Sequence, residues 1–175
     1  RLAKVLGRSL HIREVDAVCQ VVRVFRDPNV THVYNKIDPK NDIEIINTEL
    51  IMADLETIRR RDEALAAKSK AGMNPGLEKS ISAVKKIISA LERGELANSL
   101  ELDEEERESV YDLHLLIAKP FVYAVNCDED QMKNKNWQDG LPVGLEYVPF
   151  CAKLEAELAD LPPDEARDFL TALGW

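Results

Sequence analysis

An asparagine and a glutamate three residues apart close an apolar run and form the most chemically suggestive pair in this chain. The run Lys119-Pro120-Phe121-Val122-Tyr123-Ala124-Val125 ends in Asn126-Cys127-Asp128-Glu129. A carboxamide at Asn126 can donate to purine N7 and brace neighbouring loops. A carboxylate three residues on can accept from guanine N1–H and the amino group, whereas adenine offers no donor at N1. Further along, Val148-Pro149-Phe150 leads into Cys151-Ala152-Lys153, with Lys153 27 residues after Asn126. That interval accommodates one helix and a strand, so the two turns can converge on one ligand. Ligands of open α/β sheets bind beyond the carboxyl ends of strands, which is where both turns fall.

The two turns correspond to the Asn-Lys-x-Asp and Ser-Ala-Lys loops with which GTPases grip guanine. Here Glu129 is one methylene longer than Asp, Cys127 replaces the Lys whose stem covers the base, and Cys151 replaces Ser. These changes relax guanine selectivity. The candidate base contacts are Asn126, Cys127, Glu129, Ala152 and Lys153. Two other strings are decoys. Asn35-Lys36-Ile37-Asp38 spells the guanine motif but follows the breaker Asp27-Pro28-Asn29 and not a strand. Gly72 to Ser80 ends in Lys-Ser, yet Glu78 stands where a phosphate loop needs Gly. No Gly-x-x-x-x-Gly-Lys-Ser/Thr occurs. His11, His32 and His114 have no metal-ligand spacing, no catalytic set can be assembled, and His114 reads as packed within an apolar helical stretch.

The elements that must position these residues are an α/β set. Ala17 to Phe25 is β-branched and nearly continuous in apolar character, as expected of a strand buried on both faces of a parallel sheet. Phe121 to Val125 and Glu146 to Phe150 supply two more strands. Between them, 47–93 carries helical periodicity alone. Ile51, Leu55, Ile58 and Leu65 mark one seam, interrupted by Asp62; Leu77, Ile81, Val84, Ile88 and Leu91 mark another. Asn74 and Pro75 suit a helix start and Gly94 a stop, which predicts an antiparallel helical hairpin. Asp103 with Glu106 has capping-box spacing, so the acidic run 101–108 reads as a helix opening. Pro162-Pro163-Asp164 opens a last helix, expected to bury Phe169, Leu170 and Leu173. The reading is an α/β sheet domain (1–46 and 94–175) interrupted by a coiled-coil hairpin (47–93), which the family resemblance given below makes part of a P-loop domain.

Composition sets limits on partners. The 175 residues are 45% apolar and carry a net charge of −9, enough apolar chain for a core and a poor default for DNA or anionic membranes. No apolar run reaches the roughly 18 residues of a bilayer span, and Arg1 to Ser9 lacks the apolar stretch of a secretory signal. The hairpin departs from the acidic average: nine Lys or Arg against seven Asp or Glu make it +2, leaving the rest at −11. Arg59, Arg60 and Arg61 therefore offer either a solvated helical surface or a contact for an acidic partner such as ribosomal RNA. Cys19, Cys127 and Cys151 form no Cys-x-x-Cys pair and read as reduced thiols of a cytoplasmic protein.

Longer strings carry a family resemblance. His11-Ile12-Arg13-Glu14-Val15-Asp16-Ala17, Asp38-Pro39, Asp42-Ile43-Glu44-Ile45-Ile46-Asn47-Thr48-Glu49-Leu50, Ala118-Lys119-Pro120, Asn126-x-x-Glu129 and Cys151-Ala152-Lys153-x-Glu155-Ala156-Glu157-Leu158 resemble the YchF/Obg-like ATPases from Leu10 to Trp175. The resemblance implies a P-loop domain with a coiled-coil insert followed by a TGS domain, hydrolysing ATP or GTP and associating with ribosomes. It places Asn126 and Glu129 in the base-recognition motif and Ala152 and Lys153 in the last nucleotide loop. It also aligns Asp38-Pro39 elsewhere, which makes the literal guanine string coincidental. The family's phosphate loop and TGS domain have no counterpart in these residues. Phosphate and Mg2+ contacts are therefore expected from outside them, and hydrolysis is not expected from this chain alone. The competing expectation is a non-catalytic module that binds ribosome or protein through the hairpin.

Overall fold

The computed structural model describes residues 13–27, 37–95 and 100–173. The segment 1–9, His11, His32 and the Asn35-Lys36 half of the decoy string lie outside them. In chain order the elements are β1 (Val18–Arg23), α1 (Pro39–Ser69), α2 (Pro75–Glu92), α3 (Glu104–Val110), two 3-10 turns (Tyr111–Leu113 and Leu116–Ala118), β2 (Phe121–Asn126), α4 (Glu129–Asn134), β3 (Tyr147–Phe150), α5 (Ala152–Ala159) and α6 (Pro163–Ala172). Strands separated by helices give the α/β class. Contacts divide the chain into two compact units, Arg1–Val18 with Glu44–Phe121 and Cys19–Ile43 with Val122–Trp175.

The helical unit is built on the hairpin. Helix α1 begins at Pro39, ahead of Asn47, and the Asp38 carboxylate accepts from the Asn41 amide at 3.3 Å. The aspartate of the literal guanine string thus caps a helix. Residues 70–74 connect α1 to α2. The Asn74 side chain accepts from Leu77 N at 2.9 Å, Pro75 takes the first helical position, and Gly94 follows the helix with φ 77°. Leu50, Ile58 and Leu65 of α1 pack with Ala83, Val84, Ile87 and Leu91 of α2. The buried stripe of α2 is wider than a two-helix seam, because Val110, Leu115, Leu116 and Ile117 join the same cluster. The packing unit accordingly extends beyond 47–93.

Two carboxylates lie inside this unit. Glu106 closes a capping box with Asp103 and also accepts from Ser82 Oγ and Lys86 Nζ, both at 2.7 Å. The Lys86 and Ser82 hydrogen bonds hold its pKa below the usual carboxylate range. Asp54, fully buried on α1, accepts from Arg13 Nη1 at 3.0 Å and from Ile117 N at 2.9 Å. Burial pushes the Asp54 pKa up, and the backbone amides of Ile117 and Leu116 and the Arg13 guanidinium pull it back. His114 corrects its sequence reading. It is exposed in a left-handed conformation between the two 3-10 turns, its ring beside Tyr111, because the helix has already ended at Val110.

In the other unit the sheet has the order β1-β2-β3, with β2 and β3 parallel and Asn126 opposite Phe150. The strands alternate between buried and exposed residues. Val22, Tyr123 and Val125 are buried, while Val21, Val122 and Val148 are 62%, 43% and 56% exposed. β1 is therefore buried on one face and not on both, since nothing among the described residues covers the second face. The covered face packs Val24, Val125 and Cys127 against Met132, Trp137, Leu141 and Tyr147. Helix α6 starts with Pro163 as expected but buries none of its residues, and Phe169 is 37% exposed. No helix of the described residues is long and apolar enough to cross a membrane.

Candidate functional site

The carboxyl ends of β1, β2 and β3 open onto a cleft of about 570 Å³. Phe25, Arg26 and Asp27 line it from the end of β1, Asn126 to Asp130 from the end of β2, and Cys151, Ala152 and Lys153 from the end of β3. The turn after β2 is held by a second capping box. Asp128 accepts from Gln131 N at 2.8 Å, and Gln131 Oε1 accepts from Asp128 N at 3.1 Å. Gln131 Nε2 also donates to the Val24 carbonyl at 3.2 Å, tying the start of α4 to the end of β1. The backbone that presents Glu129 is thereby fixed from both sides.

The five residues singled out from sequence all line this one cleft. Asn126 Oδ1 accepts from the Ala152 amide at 3.1 Å, so the asparagine bridges the two turns. Lys153 Nζ donates to Glu129 Oε1 at 3.0 Å, and this contact is the main reason the Lys153 pKa is raised. Glu157 Oε1 lies 3.8 Å from the same ammonium. Cys127 faces inward: its thiol donates to the Phe150 carbonyl at 3.2 Å, and burial pushes its pKa up to about 11. Phe25, Arg26, Asp27 and Asp130 were not anticipated from sequence. They follow β1 or flank Glu129 and carry no motif. Asp128 was legible as the start of Asp-x-x-Gln, a helix-opening string. The Arg23 guanidinium stacks 4.4 Å from the centroid of the Phe25 ring and donates to the Phe25 carbonyl at 3.0 Å.

The cleft can therefore present a braced carboxamide and an acid–base pair to a flat heterocycle. It is poorly suited to a triphosphate, because Asp27, Asp128, Glu129 and Asp130 outnumber Arg26 and Lys153 along its walls. Arg59, Arg60 and Arg61 belong to the helical unit. Arg59 pairs with Glu92 at 2.8 Å, Arg60 with Glu56 and Arg61 with Asp112.

A parallel sheet with a helical hairpin inserted after its first strand and a cleft at the strand ends is the architecture of part of a P-loop nucleotidase domain. No family model matches the chain. It is 38% identical over 172 residues to the ribosome-binding ATPase YchF of Bacillus subtilis, covering 94% of this chain and 47% of that protein. It is 34% identical to Obg-like ATPase 1 of Saccharomyces cerevisiae, covering 93% and 45%. The structure of the Schizosaccharomyces pombe YchF GTPase superposes with a TM-score of 0.78 at 29% identity, over 94% of this chain and 47% of that one. Over more than nine tenths of its length the chain is thus similar to YchF/Obg-like ATPases, and it spans about half the length of the curated relatives it matches.

Proposed function

We propose that the cleft holds the purine ring of ATP or GTP, as the base-reading part of a YchF-type nucleotidase. The observation that carries this reading is the hydrogen bond from Ala152 N to Asn126 Oδ1, which occupies the carboxamide oxygen and leaves the amide nitrogen as the group Asn126 can offer a base in the cleft it lines. In this reading Asn126 donates to N7, Ala152 and the stem of Lys153 cover one face of the ring, and Glu129 meets the base edge while paired to Lys153. The Cys127 backbone forms part of the wall. Phosphate and Mg2+ would be held by residues other than these, in keeping with the acidic lining. A P-loop site draws most of its phosphate affinity from backbone amides and a helix N-terminus, so hydrolysis is not assigned to the described residues alone. The relatives' names support association with the ribosome, and with it a cytoplasmic setting.

Titration of the chain with ATP and GTP tests the base site. Asn126→Ala removes both the N7 donor and the brace on Ala152, and affinity should fall about tenfold, equivalent to about 1.4 kcal/mol. Equal binding by the parent chain and the variant sinks the reading. The second reading, a ribosome- or protein-binding module acting through Arg59, Arg60 and Arg61, has less support. Each of the three guanidinium groups has an acidic partner within its own unit. An RNA phosphate would have to displace those partners.

A further inference from the structure

Cys127 and Cys151 directly follow Asn126 and Phe150, which are partners at the ends of β2 and β3. The Cys127 amide donates to the Phe150 carbonyl at 2.9 Å. In a parallel ladder that bond continues the register by one step and sets Cys127 opposite Cys151. Adjacent strands lie about 4.8 Å apart, inside the Cα window of about 4.4–6.8 Å that a disulfide spans. The alternation of the strands puts both residues on the covered face, following Tyr123 and Val125 on one side and Tyr147 and Pro149 on the other. Both are buried, both line the cleft, and both are free thiols. The Cys127 thiol already leans on the Phe150 carbonyl, next to the backbone of Cys151.

We propose that Cys127 and Cys151 form a dithiol–disulfide redox site in the wall of the cleft, oxidised by hydrogen peroxide. A small oxidant suits two buried thiols on residues that line a cleft. One cysteine, as thiolate, attacks a peroxide oxygen; the O–O bond breaks, hydroxide leaves and takes up a proton as water, and a sulfenic acid remains. The second sulfur then attacks the sulfenic sulfur. The S–O bond breaks, and the departing hydroxide takes the second thiol's proton to form water. Two thiols become one disulfide and one peroxide becomes two waters. The burial that keeps Cys127 protonated makes this oxidation slow at neutral pH and faster in alkali. Cys19, exposed on β1, serves as an internal reference.

The site goes beyond the nucleotide reading and does not depend on it, since its test contains no nucleotide. The folded chain is treated with hydrogen peroxide, then unfolded and alkylated, digested without reductant, and its peptides weighed. The expected product is a peptide pair joined through Cys127 and Cys151, with Cys19 not part of it. The same treatment in concentrated guanidinium should scramble the pairing to include Cys19, which ties the native product to the fold. Alkylation of both Cys127 and Cys151 after native oxidation, separate over-oxidation of each, or Cys19 as the joined partner overturns the proposal. Because the parent chain is the sample, no variant has to fold for the answer to be read.

Discussion

The helical unit and the sheet unit use the same kinds of residue to different ends. In the helical unit the apolar side chains of α1, α2 and the 110–117 segment close on one another, and charged groups are partnered within the unit, from Asp54 with Arg13 to Glu106 with Lys86. In the sheet unit the shared core is small, a face of valines is open, and the polar contacts of Asn126, Glu129 and Lys153 gather at the strand ends. The first has the larger enclosed apolar cluster, although Met52, Met73 and Tyr111 stay exposed on it. In the second, incomplete burial and converging turns occur together, and the candidate site is found there. The larger enclosed core thus belongs to one unit and the proposed site to the other.

The sharpest way to break that contrast is to remove buried volume from the hairpin. Ile58→Ala deletes a fully buried side chain from the shared cluster and should cost about 2–5 kcal/mol in denaturant unfolding. A loss below about 1 kcal/mol would mean that the helical unit is no better packed than the sheet, since surface changes already reach about 0.5. Asp54 gives a pH-dependent test of the same unit. Its pKa is raised in the fold from 3.8, mainly by burial, so the folded state holds the proton more tightly than the unfolded chain. The resulting stabilisation is complete below pH 3.8 and is lost as pH rises through the folded value. Asp54→Asn does not titrate. The stability of the parent chain relative to this variant should therefore be greatest in acid and shrink toward neutral pH. A relative stability that grows with pH would show that the Arg13 pair outweighs desolvation.

What could be read from sequence was whatever obeyed a local rule. The hairpin, the Asn74 cap and the Asp103–Glu106 capping box follow from residue types at fixed spacing, as does the convergence of the Asn126 and Lys153 turns. What could not be read depended on distant partners. Asp54 looks like one acid among many on α1, and only the approach of Arg13 and the Ile117 amide makes it a core residue. Ala83, Ile87 and Ala90 were outside the expected seam because α2 has neighbours beyond α1. The apolar run from Ala17 to Phe25 suggested burial on both faces, since valine composition reports β preference and says nothing of what covers a given face. Phe169 misled in the same way: an amphipathic stripe announces a helix but not its partner.

The smallest expected effect separates two adjacent valines. Val21 and Val22 share a strand, a residue type and a backbone conformation, yet Val21 is exposed and Val22 is buried. Val22→Ala removes two carbons from the covered face and should cost about 1.5 kcal/mol, at about 0.8 kcal/mol per buried methylene-sized group. Val21→Thr keeps the β-branch and places a hydroxyl on the open face, where surface substitutions stay within about 0.5 kcal/mol. Unfolding of the two variants under one set of conditions reads the alternation directly. Equal losses at both positions would mean that the second face of the sheet is covered in solution. The sheet unit would then resemble the helical one, and the contrast that places recognition at an incompletely buried sheet would fail.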